Sequence, residues 1–131
     1  MFEIRVNTNF SAAHYLNNYK GKCENLHGHN WKVEVVVCSS KLDRLGMVMD
    51  FADLKKILNE VVSKLDHKFL NEIKFFKYKN TTSEYIAKVI FEEIEKKLLK
   101  FKVKRHLIRL KEVSVWEQDN SCATYRKIKK E

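Results

Sequence analysis

Two stretches of two-residue alternation constrain this chain more than any other feature. From residue 2 to residue 14, Phe2, Ile4, Val6, Phe10 and Ala12 share one parity, opposed by Glu3, Arg5, Asn7 and Asn9. A period of two is that of a strand with one buried face. His14 falls on the apolar parity. In the second stretch His27, His29, Trp31, Val33, Val35 and Val37 share one face, and Lys32 and Glu34 the other. The intervening segment 15–28 holds several Asn with Gly21 and Gly28 and reads as a loop, long enough to let the two strands pair antiparallel.

The pattern then changes period. Asp50 is placed to cap a helix in which Phe51, Leu54, Leu58, Val61 and Leu65 form an apolar stripe. A second helix opens at 81-TTSE-84, which predicts a capping box with Thr81 as cap and Glu84 at the third helical position. Its apolar face is Ile86, Val89, Ile90, Ile94 and Leu98, and Glu92–Lys96 and Glu93–Lys97 support the wet side. Residues 107–117 and 123–128 predict two further strands joined by the polar turn 118–121. The order β-β-α-α-β-β predicts an α+β fold, an antiparallel sheet with both helices on one face. With 131 residues and no low-complexity linker, residues 1–131 are expected to form one domain.

Composition excludes several function classes. No run approaches the roughly 18 apolar residues of a membrane span, and residues 1–10 lack the basic-then-apolar order of a secretory signal. A cytoplasmic location without membrane association is therefore expected. Cys23, Cys38 and Cys122 are too few for a disulfide framework and include no C-x-x-C pair. The net charge of +9 is concentrated in 100–111 and 126–130. Such stretches can bind nucleic acid by releasing counterions. Here the first alternates basic with apolar residues like the wet face of a strand, so no nucleic-acid partner is expected. A polyanionic small substrate would use the same field.

Three histidines are the sharpest chemical feature. Residues two apart on a strand point the same way with Cα atoms roughly 6.5–7 Å apart, so His27 and His29 can address one ion. Antiparallel pairing brings the end of the first strand, at His14, to the start of the second. Three neutral imidazoles converging from two strands predict a zinc site whose fourth position stays open, the catalytic arrangement. Cys23 lies in the loop leading to that strand, and a thiolate is stabilised near a dication. Asp66 and His67 set a carboxylate beside an imidazole, which can cooperate only where the first helix ends. Glu117 closes an apolar strand containing Val113 and Val115.

The runs 10-FSAAH-14, 23-CENLHGHN-30, 46-GMVMDFADLK-55, 65-LDHKFLN-71, 82-TSE-84 and V-x-V-x-E at 113–117 together resemble the 6-pyruvoyltetrahydropterin synthase / 6-carboxytetrahydropterin synthase family. The matches are in family order and span nearly the whole chain. The resemblance implies the tunnelling fold and zinc bound by His14, His27 and His29. It implies Cys23 as general base, Asp66 and His67 as a proton-handling pair, and Glu117 as the anchor of the pterin edge. Thr82 and Ser83 match a stretch lining the pterin pocket. It also implies a homohexamer with active sites between subunits and 7,8-dihydroneopterin triphosphate as substrate. Family members often carry Pro-Thr where this chain has Thr81-Thr82, and Glu-Thr where it has Glu117-Gln118. Three residues separate Cys23 from His27, and this C-x3-H-x-H spacing resembles the carboxy-forming branch of queuosine and deazapurine biosynthesis. The alternatives are the pyruvoyl-forming branch, which usually has five, and a non-catalytic basic domain that binds nucleic acid.

Overall fold

Strand β1 (Phe2–His14) and strand β2 (His27–Ser39) pair antiparallel in unbroken register from Phe2 opposite Ser39 to His14 opposite His27. The computed structural model describes residues 1–18, 25–101 and 108–128. Because the register is continuous, the two apolar parities fall on the same face. Val6, Phe10, Ala12, Trp31, Val33, Val35 and Val37 are all buried in one core. The Trp31 indole Nε1 donates to the Ala12 carbonyl at 3.3 Å, so the ring enters the core with its one donor satisfied.

Helix α1 (Phe51–Val62) starts where expected, with the Asp50 carboxylate accepting from the Ala52 N–H at 2.7 Å. It is shorter than the stripe suggested. Leu65 is buried from the turn after the helix, whereas Phe51 is exposed. A two-residue strand β3 (Lys68–Phe69) then pairs parallel with β1 at Ala12 and Ala13. This element carries no alternation long enough to be read in the sequence.

Helix α2 (Ser83–Leu99) corrects the expected cap. The Tyr85 N–H donates to the Thr82 hydroxyl at 3.2 Å, so Thr82 is the cap and Glu84 stands exposed one place too early for a capping box. Thr81 is fully buried instead. Strand β4 (Arg109–Gln118) pairs antiparallel with β2, and β5 (Ser121–Tyr125) with β4. Gln118 opposite Ser121 closes a two-residue hairpin turn, so β5 begins earlier than the expected 123–128 and stops at Tyr125. Two irregularities matter. Lys111 has no partner in the β2 ladder, which lets Leu110 and Val113 both face the core. Glu117 has none in the β5 ladder.

The sheet order is β3-β1-β2-β4-β5. Both helices pack on its apolar face and share one core, so the fold is α+β in the order expected, with β3 added. The opposite face carries a lattice of ion pairs: Arg5 with Glu3 and Glu34, Lys111 with Glu3, and Arg126 with Glu112. Among the described residues no helix is long and apolar enough to cross a membrane. Residues 102–107 and 129–131, which hold much of the basic sequence, lie outside the described residues, as does Cys23.

The cap assignment is open to test by urea denaturation. Thr82→Ala should lower stability by about 1 kcal/mol, the usual cost of losing a Thr cap, and Glu84→Ala by less than half as much. A larger loss from Glu84→Ala would restore the capping box.

Candidate metal centre

The register of β1 on β2 places His14 directly across from His27, while His29 lies opposite Ala12 on the same face. Ring centroids are 4.7 Å apart for His14 and His27, 5.3 Å for His14 and His29, and 4.6 Å for His27 and His29. Trp31 stands edge-to-face against both His14 and His29 and forms the inner wall. Glu117 joins them from β4. Its Oε1 lies 2.8 Å from His29 Nε2 and 4.0 Å from His14 Nε2, and one ligand-capable atom from each of the four residues lies within 4.8 Å of the others. The sequence suggested no carboxylate this close to the histidines.

The nitrogens are prepared as ligands. His14 Nδ1 meets the Thr81 carbonyl at 2.8 Å, and His27 Nδ1 meets the Asn25 carbonyl at 2.8 Å. A carbonyl can only accept, so each Nδ1 carries the proton when the ring is neutral, leaving the Nε2 lone pair available. Burial holds the His14 pKa below its ordinary value, against the opposing pull of the Thr81 carbonyl and Glu117. Its ring is therefore neutral, the form that binds metals. Nε2 of His14 is buried without a hydrogen-bond partner, and Nε2 of His29, also buried, faces the Glu117 carboxylate at 2.8 Å outside hydrogen-bond geometry. A buried nitrogen left unpaired costs about 1–3 kcal/mol, and a cation shared by the two rings would satisfy both. The residues present thus fit a divalent ion such as zinc, with nitrogen ligands and one carboxylate.

Of the other predicted residues, one group is joined to the cluster through Glu117 and one stands apart. Glu117, Thr82 and Ser83 line one cavity of ≈ 460 Å³ together with Asn17, Asn80 and Glu84. Asp66 and His67 do not join the histidine cluster. They dock on the outer edge of β1, where Asp66 Oδ1 accepts from the Ser11 N–H at 2.9 Å and the His67 N–H donates to the Ser11 carbonyl at 2.6 Å. The Ser11 N–H, with His67 assisting, holds the Asp66 carboxyl below the usual carboxylate range. Asp66 Oδ2 lies 3.0 Å from His67 Nδ1, and the His67 side chain is 82% exposed. His67 has φ +58°, a left-handed conformation uncommon for residues other than Gly, Asn, Asp and His. It shares a cavity of ≈ 560 Å³ with Ser11, Asn30, Lys68 and His29. Cys38 is buried and Cys122 exposed, and neither belongs to the cluster. Sequence reasoning missed Thr81 and Asn25 as partners of the histidines, because a backbone carbonyl leaves no mark in the residue type that bears it.

The class is thus an α+β fold whose five-stranded sheet gathers three imidazoles and a carboxylate able to hold a metal ion. The family model for 6-pyruvoyl tetrahydropterin synthase matches residues 3–128. This chain belongs to that family. A putative 6-carboxy-5,6,7,8-tetrahydropterin synthase of Archaeoglobus fulgidus is 51% identical over 94 residues, covering 72% of this chain and 76% of that protein. A dihydroneopterin monophosphate aldolase of Pyrococcus furiosus is 40% identical over 114 residues, covering 87% of this chain and 88% of that protein. The solved structure of Caenorhabditis elegans 6-pyruvoyl tetrahydropterin synthase superposes with a TM-score of 0.80 at 30% identity, over 97% of this chain and 96% of that one.

The cluster predicts one divalent ion per chain, measurable by zinc titration with a competing chelator. His14→Ala, His27→Ala and His29→Ala should each weaken binding by more than about 100-fold, beyond the 10–100-fold typical of residues that only orient a ligand. Asp66→Asn and His67→Ala should leave binding unchanged. Wild-type affinity in any of the three alanine variants would contradict the ligand set.

Proposed function

We propose that this protein is a zinc-dependent 6-carboxytetrahydropterin synthase of queuosine and deazapurine biosynthesis. It would convert 7,8-dihydroneopterin triphosphate and water to 6-carboxy-5,6,7,8-tetrahydropterin, acetaldehyde and triphosphate. The observation that carries the reading is the cluster of His14, His27, His29 and Glu117, the last of which also lines a cavity walled by Thr82 and Ser83. Membership of the family and the name of the Archaeoglobus relative support it. The C-x3-H-x-H spacing from Cys23 to His29 supports the carboxy product over the pyruvoyl one.

In this reading His14, His27 and His29 hold the ion. When bound, zinc supplies Lewis acidity toward the side-chain oxygens of the substrate. Glu117 accepts hydrogen bonds from the amide and amino edge of the pterin, with Thr82 and Ser83 beside it. Cys23 takes a proton from the substrate side chain as general base. His67, oriented through Nδ1 by Asp66, handles a second proton at Nε2. The 82% exposure of His67 and its position outside the cluster support a site completed between subunits of a homohexamer. The ion pairs that neutralise Arg5, Lys111 and Arg126 argue against a nucleic-acid partner on that face. A soluble, cytoplasmic enzyme is consistent with the absence of a membrane-crossing helix among the described residues.

The Pyrococcus relative favours a second reading, aldol cleavage of a monophosphorylated dihydroneopterin, by its 40% identity over 87% of the chain. Product analysis separates these chemistries. Given 7,8-dihydroneopterin triphosphate anaerobically, the purified enzyme should release one acetaldehyde per carboxylated pterin, read by mass spectrometry and an alcohol dehydrogenase assay. A pyruvoyl-pterin mass without acetaldehyde would assign the other synthase branch, and turnover of the monophosphate alone would assign the aldolase. Glu117→Gln should weaken pterin binding by the roughly 1.5–3 kcal/mol of a charge-assisted hydrogen bond. Unchanged pterin affinity, read by calorimetry, would remove Glu117 from the pterin site.

A further inference from the structure

Strand β1 ends at His14, yet the backbone beyond it is not released. Asn71 holds Tyr15 at two points: its Oδ1 accepts from the Tyr15 N–H at 3.0 Å and its Nδ2 donates to the Tyr15 carbonyl at 2.9 Å. Asn80 does the same for Asn17, with its Oδ1 accepting from the Asn17 N–H at 2.7 Å and its Nδ2 donating to the Asn17 carbonyl at 3.0 Å. A backbone N–H can only donate and a carbonyl only accept, so both amide orientations are fixed by their partners. A side-chain amide presents the same donor and acceptor as a peptide group. Its two clients are two residues apart, the repeat of a strand ladder. The two asparagines thus stand in for a partner strand.

Thr81 sits between these contacts. Its carbonyl accepts a hydrogen bond from His14 Nδ1, and its hydroxyl lies 3.2 Å from the Tyr15 carbonyl and 3.3 Å from Asn71 Oδ1. Asn71 belongs to the 3₁₀ turn Leu70–Glu72 that follows β3, whereas Asn80 and Thr81 lead into α2. Two separate segments therefore converge on the backbone just after a candidate metal ligand. Asn17 and Asn80 also line the cavity that contains Glu117, so the second clamp ties together two of its walls.

The geometry points to Asn71 and Asn80 as positioning residues that extend β1 past His14 and thereby fix the aim of the His14 ring and the wall of the substrate cavity. This rests on the reading of the histidine cluster as a metal centre. The mechanism given above assigns neither residue a part. If either amide is removed, the Tyr15 or Asn17 backbone loses the two hydrogen bonds that amide makes to it, and His14 loses part of the support that carries it.

The test uses the full chain loaded with cobalt(II), whose visible absorption reports ligand geometry, together with amide hydrogen exchange on the metal-free protein. Asn71→Ala should weaken cobalt binding about 10–100-fold, change the visible spectrum and accelerate exchange at Tyr15. Asn71→Asp keeps the acceptor and loses the donor, and should fall between. Asn80→Ala should accelerate exchange at Asn17 and raise KM more than it lowers kcat. Should Asn71→Ala fail to fold, Asn71→Asp and Asn80→Ala decide. Failure of the wild-type chain to bind cobalt would overturn the metal reading itself. Wild-type binding with unaltered affinity, spectrum and KM in the variants, even alongside a lower melting temperature, would overturn the positioning role alone.

Discussion

The antiparallel register of β1 on β2 is the constraint on which the rest of the structure depends. A slip of one residue would turn every side chain of one strand to the other face. It would send Val6, Phe10 and Ala12 out of the core, and it would part His14 from His27 and His29. The apolar alternation that drives burial is therefore also what gathers the imidazoles, because the histidines occupy the last core-facing positions of the same two strands. Folding energy and site assembly share one set of residues. Val33, Val35 and Trp31, all fully buried, anchor the register a few residues from the chemistry.

Once gathered, the histidines are tuned by what surrounds them. Backbone carbonyls of Thr81 and Asn25 accept hydrogen bonds from the Nδ1 groups, burial keeps His14 neutral, and Trp31 closes the inner side. Glu117 is the one carboxylate of the cluster, and it arises from a position the β5 ladder skips. Bulges of this kind re-aim a side chain beside functional sites. Glu117 is thereby set between the imidazoles and the cavity lined by Thr82 and Ser83, within reach of either an ion or a ligand's hydrogen-bond donors. Asp66 and His67 are organised by a different partner, the Ser11 backbone at the sheet edge, which explains their separation from the cluster within one chain.

Much of this was legible in the sequence where a periodic signal was long. Both thirteen-residue strands, the Asp50 cap and the apolar faces of the two helices follow from alternation and spacing. So does the convergence of His14, His27 and His29, since the two strand ends that carry them are adjacent in any antiparallel pairing. What was not legible is local or carried by backbone. The strand β3 is two residues long and has no period. The α2 cap was read one residue early because Thr81 and Thr82 are chemically alike, and only tertiary packing draws Thr81 inward to His14. The approach of Glu117 depends on a bulge that residue type does not reveal, and the Asn71 and Asn80 clamps join residues 56 and 63 apart in sequence.

Three imidazoles from two paired strands are the proposed metal ligands, with Cys23 as the proposed base rather than a ligand. Zinc K-edge X-ray absorption on the zinc-loaded protein tests this central claim most directly. A three-histidine site predicts a nitrogen and oxygen shell at about 2.0–2.1 Å with the multiple scattering of three imidazoles and no sulfur. A sulfur shell at about 2.3 Å would place a cysteine on the metal and contradict the claim, as would the scattering of fewer than three imidazoles.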